Sequence, residues 1–156
     1  MKNILFAILF FTSAQVYAQQ NTEEEKKDIL SKVNLFFKAL ETKDTILYKT
    51  LVYPNAQIWT IRPQQDTLKT AMRSFSDDFK RLATMELVIE EKLLSSEIKI
   101  HQNIAVAWVP YTLSLSGKFS HCGIDVFTFL KTLEGWKIVS TVYSVEPDGC
   151  ADLKKS

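Results

Sequence analysis

The stretch GKFSHCGIDVFTF, residues 117–129, decides the fold. Its apolar residues alternate with other residues, and this period of two is typical of a β-strand. Gly117 and Lys118 precede the alternating part, and glycine at the first position of a two-residue turn favours a type II′ hairpin. We therefore predict antiparallel pairing with IAVAWVPYTLSL, residues 104–115, and, across a turn at LEG, with WKIVSTVYSV, residues 136–145.

The N-terminal half shows helical spacing instead. TEEE, residues 22–25, is a capping box, and a helical stripe of apolar residues follows it: Ile29, Leu30, Val33, Phe36, Phe37 and Leu40. We predict a short second helix over residues 44–51 and a strand over residues 56–62. A third helix is predicted from apolar residues that are four and three positions apart: Leu68, Met72, Phe75, Phe79 and Leu82. Three helices followed by long antiparallel strands predict an α+β fold, in which a curved sheet wraps around the N-terminal helices as a cone with one open mouth.

Residues 1–18 have the pattern of a secretory signal peptide. Lys2 precedes an apolar run over residues 4–11, and V-Y-A at residues 16–18 is a small-residue cleavage pattern. The run is too short to span a bilayer. We predict cleavage after Ala18, a periplasmic or secreted protein, and a single domain over residues 19–156.

The charges of the chain are balanced. Its 19 basic and 18 acidic residues become equal in number once Lys2 leaves with the signal peptide. Nucleic acids and anionic membranes are bound through basic patches. We therefore expect neither a nucleic acid partner nor membrane binding after signal cleavage.

The cluster of His121, Cys122 and Asp125 permits three interpretations. A nucleophilic cysteine would need its base in contact, but neighbouring strand residues point to opposite faces. Zinc is disfavoured because two cysteines and two histidines show no finger spacing, and no cofactor motif is present. An exported chain with an even cysteine count favours a disulfide between Cys122 and Cys150, worth about 3.5 kcal/mol for the loop that it closes.

The predicted hairpins also define a candidate pocket. Their register places Trp108 opposite Phe127, Pro110 opposite Asp125, and Ser140 opposite Phe127 on the other side. Large apolar groups with a few polar ones are typical of a small-molecule site, although they are also typical of a hydrophobic core. Asp125 is the sharper signal, because a carboxylate on an apolar face needs a partner. The candidate ligand-binding residues are Trp108, Tyr111, His121, Asp125, Phe127, Ser140 and Tyr143, and Asp125 and His121 are the candidates for catalysis.

The opposite face of the sheet is predicted to be apolar too, with Ile124, Val126, Leu130, Val139 and Tyr111. An apolar outer face indicates that another surface covers it. A second copy of the chain is the simplest supplier of that surface. We therefore predict a homodimer through the outer face.

Several of these motifs carry a resemblance to a known superfamily. WVPY at residues 108–111, the stretch GKFSHCGIDVF, GWKIV at 135–139 and the final DGC resemble the nuclear transport factor 2-like superfamily. The similarity is greatest to its secreted bacterial branch, labelled lumazine-binding or SnoaL-like (polyketide-cyclase-like). The resemblance implies the helix-backed cone, a pocket in its mouth and frequent homodimers. Relatives carry Asp-Thr-Arg-Arg before the final Gly-Cys, whereas this chain has YSVE at residues 143–146.

The superfamily holds both enzymes and binding domains, so fold alone does not fix a function. One hypothesis is an exported, non-catalytic domain that binds a small apolar or aromatic molecule, with Trp108 as a wall and Asp125 and His121 as polar anchors. A second is an acid–base enzyme of the isomerase, dehydratase or cyclase kind, in which Asp125 or His121 moves a proton and a tyrosine hydroxyl polarises a carbonyl. A third is a dimeric interaction module without a ligand.

Overall fold

The structure is a computed structural model. It describes the backbone of residues 2–148 and 150–153, and the side chains from residue 22 onward apart from residues 149, 152 and 154–156. The signal peptide predicted over residues 1–18 therefore lies outside the residues whose side chains are described. Within the described part of the chain, no helix has the length and apolar character needed to cross a membrane.

The described residues form four helices: α1 (Lys2–Thr42), α2 (Thr45–Leu51), α3 (Phe75–Thr84) and the short α4 (Cys150–Leu153). Helix α1 continues through the predicted capping box rather than beginning there. Its predicted apolar stripe is confirmed, since Ile29 and Val33 are fully buried. Asp44 caps α2, because its carboxylate accepts hydrogen bonds from the backbone N–H groups of Ile46 and Leu47.

The third helix begins seven residues after the predicted first residue of its stripe, Leu68. Residues 67–74 form a strand instead, and Leu68 and Met72 are exposed on it. Helix α3 begins where Ser74 accepts a hydrogen bond from the N–H of Asp77. The four-residue spacing of Leu68 and Met72 also fits two residues on one face of a strand, so their period alone could not separate the two structures.

Seven strands in the described part of the chain form one mixed sheet: β1 (Val52–Gln64), β2 (Thr67–Ser74), β3 (Ile89–Leu93), β4 (Glu97–His101), β5 (Ile104–Leu115), β6 (Lys118–Thr132) and β7 (Gly135–Ser144). Their order is β2-β1-β7-β6-β5-β3, and β4 also pairs with β5. The pairing of β1 with β7 is parallel, and the other pairings are antiparallel. The α+β fold with an open, curved sheet is confirmed.

The predicted register between β5 and β6 is wrong. The turn lies at Ser116 and Gly117, both with positive φ, and an irregularity at Ser120 shifts the pairing by one residue. Trp108 therefore pairs with Val126 instead of Phe127, and Asp125 pairs with Val109 instead of Pro110. A shift of one residue moves side chains to the other face, because strand residues alternate.

A second register shift lies between β6 and β7. Thr132 pairs with Gly135 as predicted, but Val139 is skipped, so Phe127 pairs with Thr141 rather than Ser140. Ser140 pairs with Thr128 and therefore lies on the outer face with Trp108. Tyr143 moves inward instead, directly opposite Asp125.

The closed end of the cone is an aromatic core between α1 and the inner face of the sheet. Phe36 packs against Phe127 with ring centroids 5.2 Å apart and against Tyr48 at 4.9 Å. Phe127 and Phe129 are fully buried. This core holds the helices against β6 and β7 and leaves the other end of the inner face open.

The predicted disulfide is present. The sulfur atoms of Cys122 and Cys150 are 2.02 Å apart. Beside it, backbone hydrogen bonds of 3.1 and 2.8 Å join Cys122 to Glu146. The backbone passes so close here that a Cβ on Gly123 would lie 2.1 Å from the carbonyl oxygen of Ser144. The segment after β7 is therefore fastened across the end of β6 that leads into the open part of the cone.

Candidate functional site

A cavity of about 500 Å³ occupies the open part of the cone. This volume lies within the range of small-molecule sites. Its apolar wall includes residues of α1, α3 and the sheet: Phe36, Leu40, Ile58, Leu82, Met85, Ile89, Leu113 and Leu115. Its polar wall contains Arg62, Arg73, Asp78, Arg81, Glu91, Tyr111, Ser120, His121, Asp125, Thr141 and Tyr143.

Four of the seven residues predicted to bind a ligand line this cavity: Tyr111, His121, Asp125 and Tyr143. Tyr111 is buried on the inner face, opposite Gly123, although the predicted register had placed it outside. Phe127 is on the inner face but belongs to the aromatic core. Trp108 and Ser140 were placed wrongly, since both lie on the outer face, where Trp108 is 48% exposed. The shifts at Ser120 and Val139 account for both errors.

The most unusual feature of the cavity is a pair of carboxyl groups. Asp125 is only 4% exposed, and no amide, hydroxyl or cationic group among the described residues donates to its Oδ2 atom. The neighbouring Glu91 carboxyl lies within hydrogen-bonding contact of it. Two carboxylates repel each other, so such a contact requires a proton on one of them. Asp125 and Glu91 can therefore share a proton.

Burial sets the protonation of this pair. Burial raises the pKa of Asp125 to about 7, and the hydrogen bond with Glu91 acts in the opposite direction. Burial also raises the pKa of Glu91 well above its usual value, and the charge of Asp125 raises it further. At neutral pH the pair can both accept and release a proton.

Tyr143 faces Asp125 across the strand pair and is held by an arginine. Arg73 Nη1 donates to the Tyr143 hydroxyl at 3.2 Å, and Arg73 Nε donates to Asp78 Oδ1 at 2.5 Å. Burial works against the charge of Arg73, but Asp78 and Tyr143 hold its pKa above the usual value. Because the Tyr143 oxygen already accepts a bond from Arg73, its own O–H remains to donate into the cavity.

The same arginine network extends to α2. The hydroxyl of Tyr48 donates to Asp78 Oδ2 at 3.0 Å, and burial, followed by the charge of Asp78, raises the pKa of Tyr48. Tyr48 therefore remains a neutral donor. Asp78 is almost fully buried, and these bonds together with Arg81 at 3.4 Å compensate its charge.

Two further polar groups of the cavity lack partners among the described residues. Thr141 Oγ1 is buried without a hydrogen bond, and so is Nε2 of His121. The Nδ1 atom of His121 lies 2.9 Å from the Ser120 hydroxyl, and burial, together with the charge of Arg62, lowers the pKa of His121. The hydroxyl of Tyr111, in contrast, donates to the carbonyl of Ser144 at 2.7 Å and is occupied.

The sequence analysis missed Glu91, Arg73, Asp78 and Tyr48. The sequence contains a signal for Glu91, which lies two residues from both Ile89 and Leu93. Every second residue of a strand points to the same face, so Glu91 shares the apolar face of these two residues. Arg73 lies in the strand that was read as a helix, so its position opposite Ile58 could not be foreseen. Among the described residues, no group of three or more His, Cys, Asp or Glu side chains is placed to hold a metal ion.

Solved structures share this fold. A nuclear transport factor 2-like superfamily protein from Salmonella enterica aligns with a TM-score of 0.65 and 21% identity, over 82% of this chain and 95% of that one. A nuclear transport factor 2-like protein of unknown function from Shewanella baltica gives 0.63 and 18%, over 80% and 96%. A proposed dehydratase of the same family from Streptomyces avermitilis gives 0.62 and 14%, over 80% and 97%. No family model and no curated protein matches the sequence. The chain thus has the nuclear transport factor 2-like fold.

Proposed function

We propose that the cavity binds a small, mostly apolar carbonyl compound and that the Asp125–Glu91 pair moves a proton on it. This is the acid–base chemistry of an isomerase, dehydratase or cyclase. The observation that carries the proposal is the carboxyl pair of the buried Asp125 and the half-buried Glu91, at the position of β6 that pairs with Tyr143. These groups supply a proton acceptor and a hydrogen-bond donor in one cavity, as proton abstraction next to a carbonyl requires.

The step follows from the geometry. The carboxylate of Asp125 takes a proton from the carbon beside the carbonyl, and the electron pair of that C–H bond moves toward the carbonyl oxygen. The Tyr143 hydroxyl donates to this oxygen as its charge grows, and Arg73 favours that charge through its own bond to Tyr143. Asp125 then returns the proton, either to another carbon in an isomerisation or to a departing hydroxyl group in a dehydration. The printed name of the Streptomyces avermitilis neighbour points to the second of these reactions.

Proton transfer can be tested before the natural substrate is known. Small cyclic ketones and enones are incubated with the protein in heavy water, and exchange of the hydrogens beside the carbonyl is followed by NMR. We expect exchange that is lost in Asp125→Asn and weakened in Tyr143→Phe. Asp66→Asn, an exposed carboxylate in the turn between β1 and β2, is the matched control.

The same NMR experiments also distinguish catalysis from binding. If the ketones bind but exchange no faster than in buffer, the protein is a non-catalytic binding domain with Asp125 as a polar anchor. Exchange that persists in Asp125→Asn would remove the carboxyl pair from the mechanism.

We also propose that the protein is exported to the periplasm or beyond and belongs to the secreted branch labelled lumazine-binding or SnoaL-like. The signal-peptide pattern over residues 1–18 and the disulfide between Cys122 and Cys150 support export. Intact mass of the protein recovered from the periplasm should correspond to a chain that begins at Gln19. An uncleaved chain in the cytosol would contradict this.

A homodimer through the outer face of the sheet is proposed as well. One row of apolar side chains crosses five adjacent strands on that face: Met72, Trp59, Val142, Val126 and Trp108. Four of the five are more than 40% exposed. A contiguous apolar surface of this kind is typical of an interface. Light scattering of the purified protein should give twice the mass of the mature chain.

A further inference from the structure

A cation at the edge of the cavity is left without a partner. Arg62 follows the buried residues Ile58 and Thr60 on the inner face of β1, lines the cavity and is itself exposed. The other two arginines of the wall, Arg73 and Arg81, share the carboxylate of Asp78. Among the described side chains, none forms an ion pair or hydrogen bond with the Arg62 guanidinium. Within the described part of the chain, the mouth of the cavity therefore carries one uncompensated positive charge.

The neighbouring strand adds a second positive charge to the same face. Lys69 of β2 lies directly opposite Arg62, and it too has no ion pair within the described part of the chain. Side chains directly opposite in an antiparallel pair have Cβ atoms about 5 Å apart, and like charges there destabilise the sheet. An anion between the two side chains would turn this repulsion into attraction.

His121 provides a third group at this end of the cavity. Its ring is close enough for the charge of Arg62 to lower its pKa, which keeps the imidazole neutral. Its Nε2 atom has no partner, while Nδ1 contacts the Ser120 hydroxyl. When Ser120 donates to Nδ1, Nε2 carries the proton and is a donor.

The deeper part of the cavity has the opposite character. The Asp125–Glu91 pair holds negative charge there, so an anion is repelled from that end and attracted to Arg62. Apolar side chains of β3 and β5 lie in the wall as well: Ile89, Leu113 and Leu115. A ligand with one anionic end and an apolar body that carries a carbonyl would match this arrangement in a single orientation.

We propose that the cavity selects small carboxylic acids, whose carboxylate is held by Arg62 and Lys69 with His121 as an additional donor. This inference rests on the proposed function, because it names the substrate class of the same cavity. The carboxylate at the mouth would set which carbon of the ligand lies beside Asp125. Arg62 is thus a specificity-determining residue and not a catalytic one.

Matched pairs of an acid and its primary amide test the inference. Phenylacetate and phenylacetamide, cyclohexanecarboxylate and its amide, and keto acids with their amides are titrated against the folded protein by ligand-observed NMR. We expect each acid to bind about tenfold more tightly than its amide, as one charge-assisted hydrogen-bonding pair would provide. Added salt should weaken the binding of the acid more than that of the amide.

Two variants assign the preference to Arg62. Arg62→Gln should lower the acid-to-amide ratio several-fold, to the smaller preference that Lys69 alone would leave. Lys92→Gln removes the same charge from an exposed position of β3 and should leave the ratio unchanged. Both positions are exposed, so thermal unfolding should confirm that each variant is folded.

The possible failures are distinguishable. If amides bind as tightly as acids, or if Arg62→Gln keeps the preference, the carboxylate site is wrong and the proposed function stands. If neither member of any pair binds but the ketones do, the carboxylate site is again wrong, and if the folded protein binds none of these compounds, both proposals fall.

Discussion

Two halves of one strand face, only a few residues apart, behave in opposite ways. On the inner face of β6, Phe129 and Phe127 are buried in the aromatic core and packed against α1. Further along the same face, Asp125 and His121 carry buried polar atoms without donors or acceptors among the described residues. The packed half stabilises the fold, whereas the polar half costs stability, and such a cost is typical of functional sites. The boundary between the core and the cavity thus lies between Phe127 and Asp125.

The largest effect should come from the packed half. Phe127→Ala leaves a cavity among the rings of Phe36, Phe37 and Phe129 and should lower the free energy of unfolding by about 3–5 kcal/mol. Urea denaturation followed by tryptophan fluorescence measures it. Leu130→Ala is the control, because Leu130 lies three residues further along β6, on the outer face, and is half-exposed. It should lower the free energy of unfolding by less than about 1 kcal/mol. Equal losses at the two positions would contradict the division into a core face and an outer face.

The disulfide should be the next largest contribution. Its two cysteines are 28 positions apart, for which chain entropy predicts about 3.5 kcal/mol. Cys122→Ala combined with Cys150→Ala should lose this amount in urea denaturation. Addition of a reductant to the wild type should approach the same value, and the double variant should no longer respond to it. A response of the variant would place the effect of the reductant elsewhere.

The polar half should gain stability when its charge is removed. The folded protein keeps a proton on Asp125 up to about pH 7, whereas the unfolded chain loses it near pH 4. The folded state therefore binds more protons between these values, and the free energy of unfolding falls as the pH rises through this window. Asp125→Asn should reduce this dependence, leaving the part that the raised pKa of Glu91 contributes, and should be more stable than the wild type at pH 8 by about 2 kcal/mol, below the ~4 kcal/mol that a three-unit shift allows.

Urea denaturation at several pH values between 4 and 8 checks this prediction. Asp66→Asn serves as the control, since its carboxylate is exposed in a turn and should leave the pH profile of the wild type unchanged. A variant at Asp125 that is less stable than the wild type at pH 8 would show that the carboxylate has a stabilising partner.

The smallest effect on the monomer should come from the outer face. Trp108→Lys changes a side chain that is 48% exposed and should alter the stability of the monomer by about 0.5 kcal/mol or less. The same change places a charge in the proposed dimer interface and should reduce the mass in light scattering to that of one chain. Asp66→Asn, which also adds one positive charge but in the exposed turn between β1 and β2, is the matched control. An unchanged mass for Trp108→Lys would exclude this face as the interface.

Local periods of apolar residues explain which parts of the fold could be predicted from the sequence. The apolar stripe from Ile29 to Leu40 determines the first helix. The alternation from residue 104 onward determines the long strands and which strands are neighbours. Both periods reflect which face of the element is buried. The disulfide between Cys122 and Cys150 was predicted correctly despite the register error, because the segment EPDG before Cys150 gives the chain room to bend. The fold was therefore predictable from local periods.

The cavity was less predictable because it depends on single-residue shifts. The irregularities at Ser120 and Val139 move Trp108 and Ser140 outward and bring Tyr143 opposite Asp125. Nothing in the composition marks a register shift of one residue. Such a shift nevertheless moves the side chains beyond it to the other face of the sheet. Glu91 and Arg73 come from strands distant in sequence from Asp125, so only the paired sheet places them in the same cavity.

The fastened segment after β7 has a practical consequence for anyone who handles the protein. Val145 and Pro147 form part of the cavity wall, and Cys150 ties the chain just beyond them to β6. Material produced in a reducing host compartment, or stored with dithiothreitol, lacks this tie beside the cavity wall. The redox history of a sample should therefore be recorded with every binding constant.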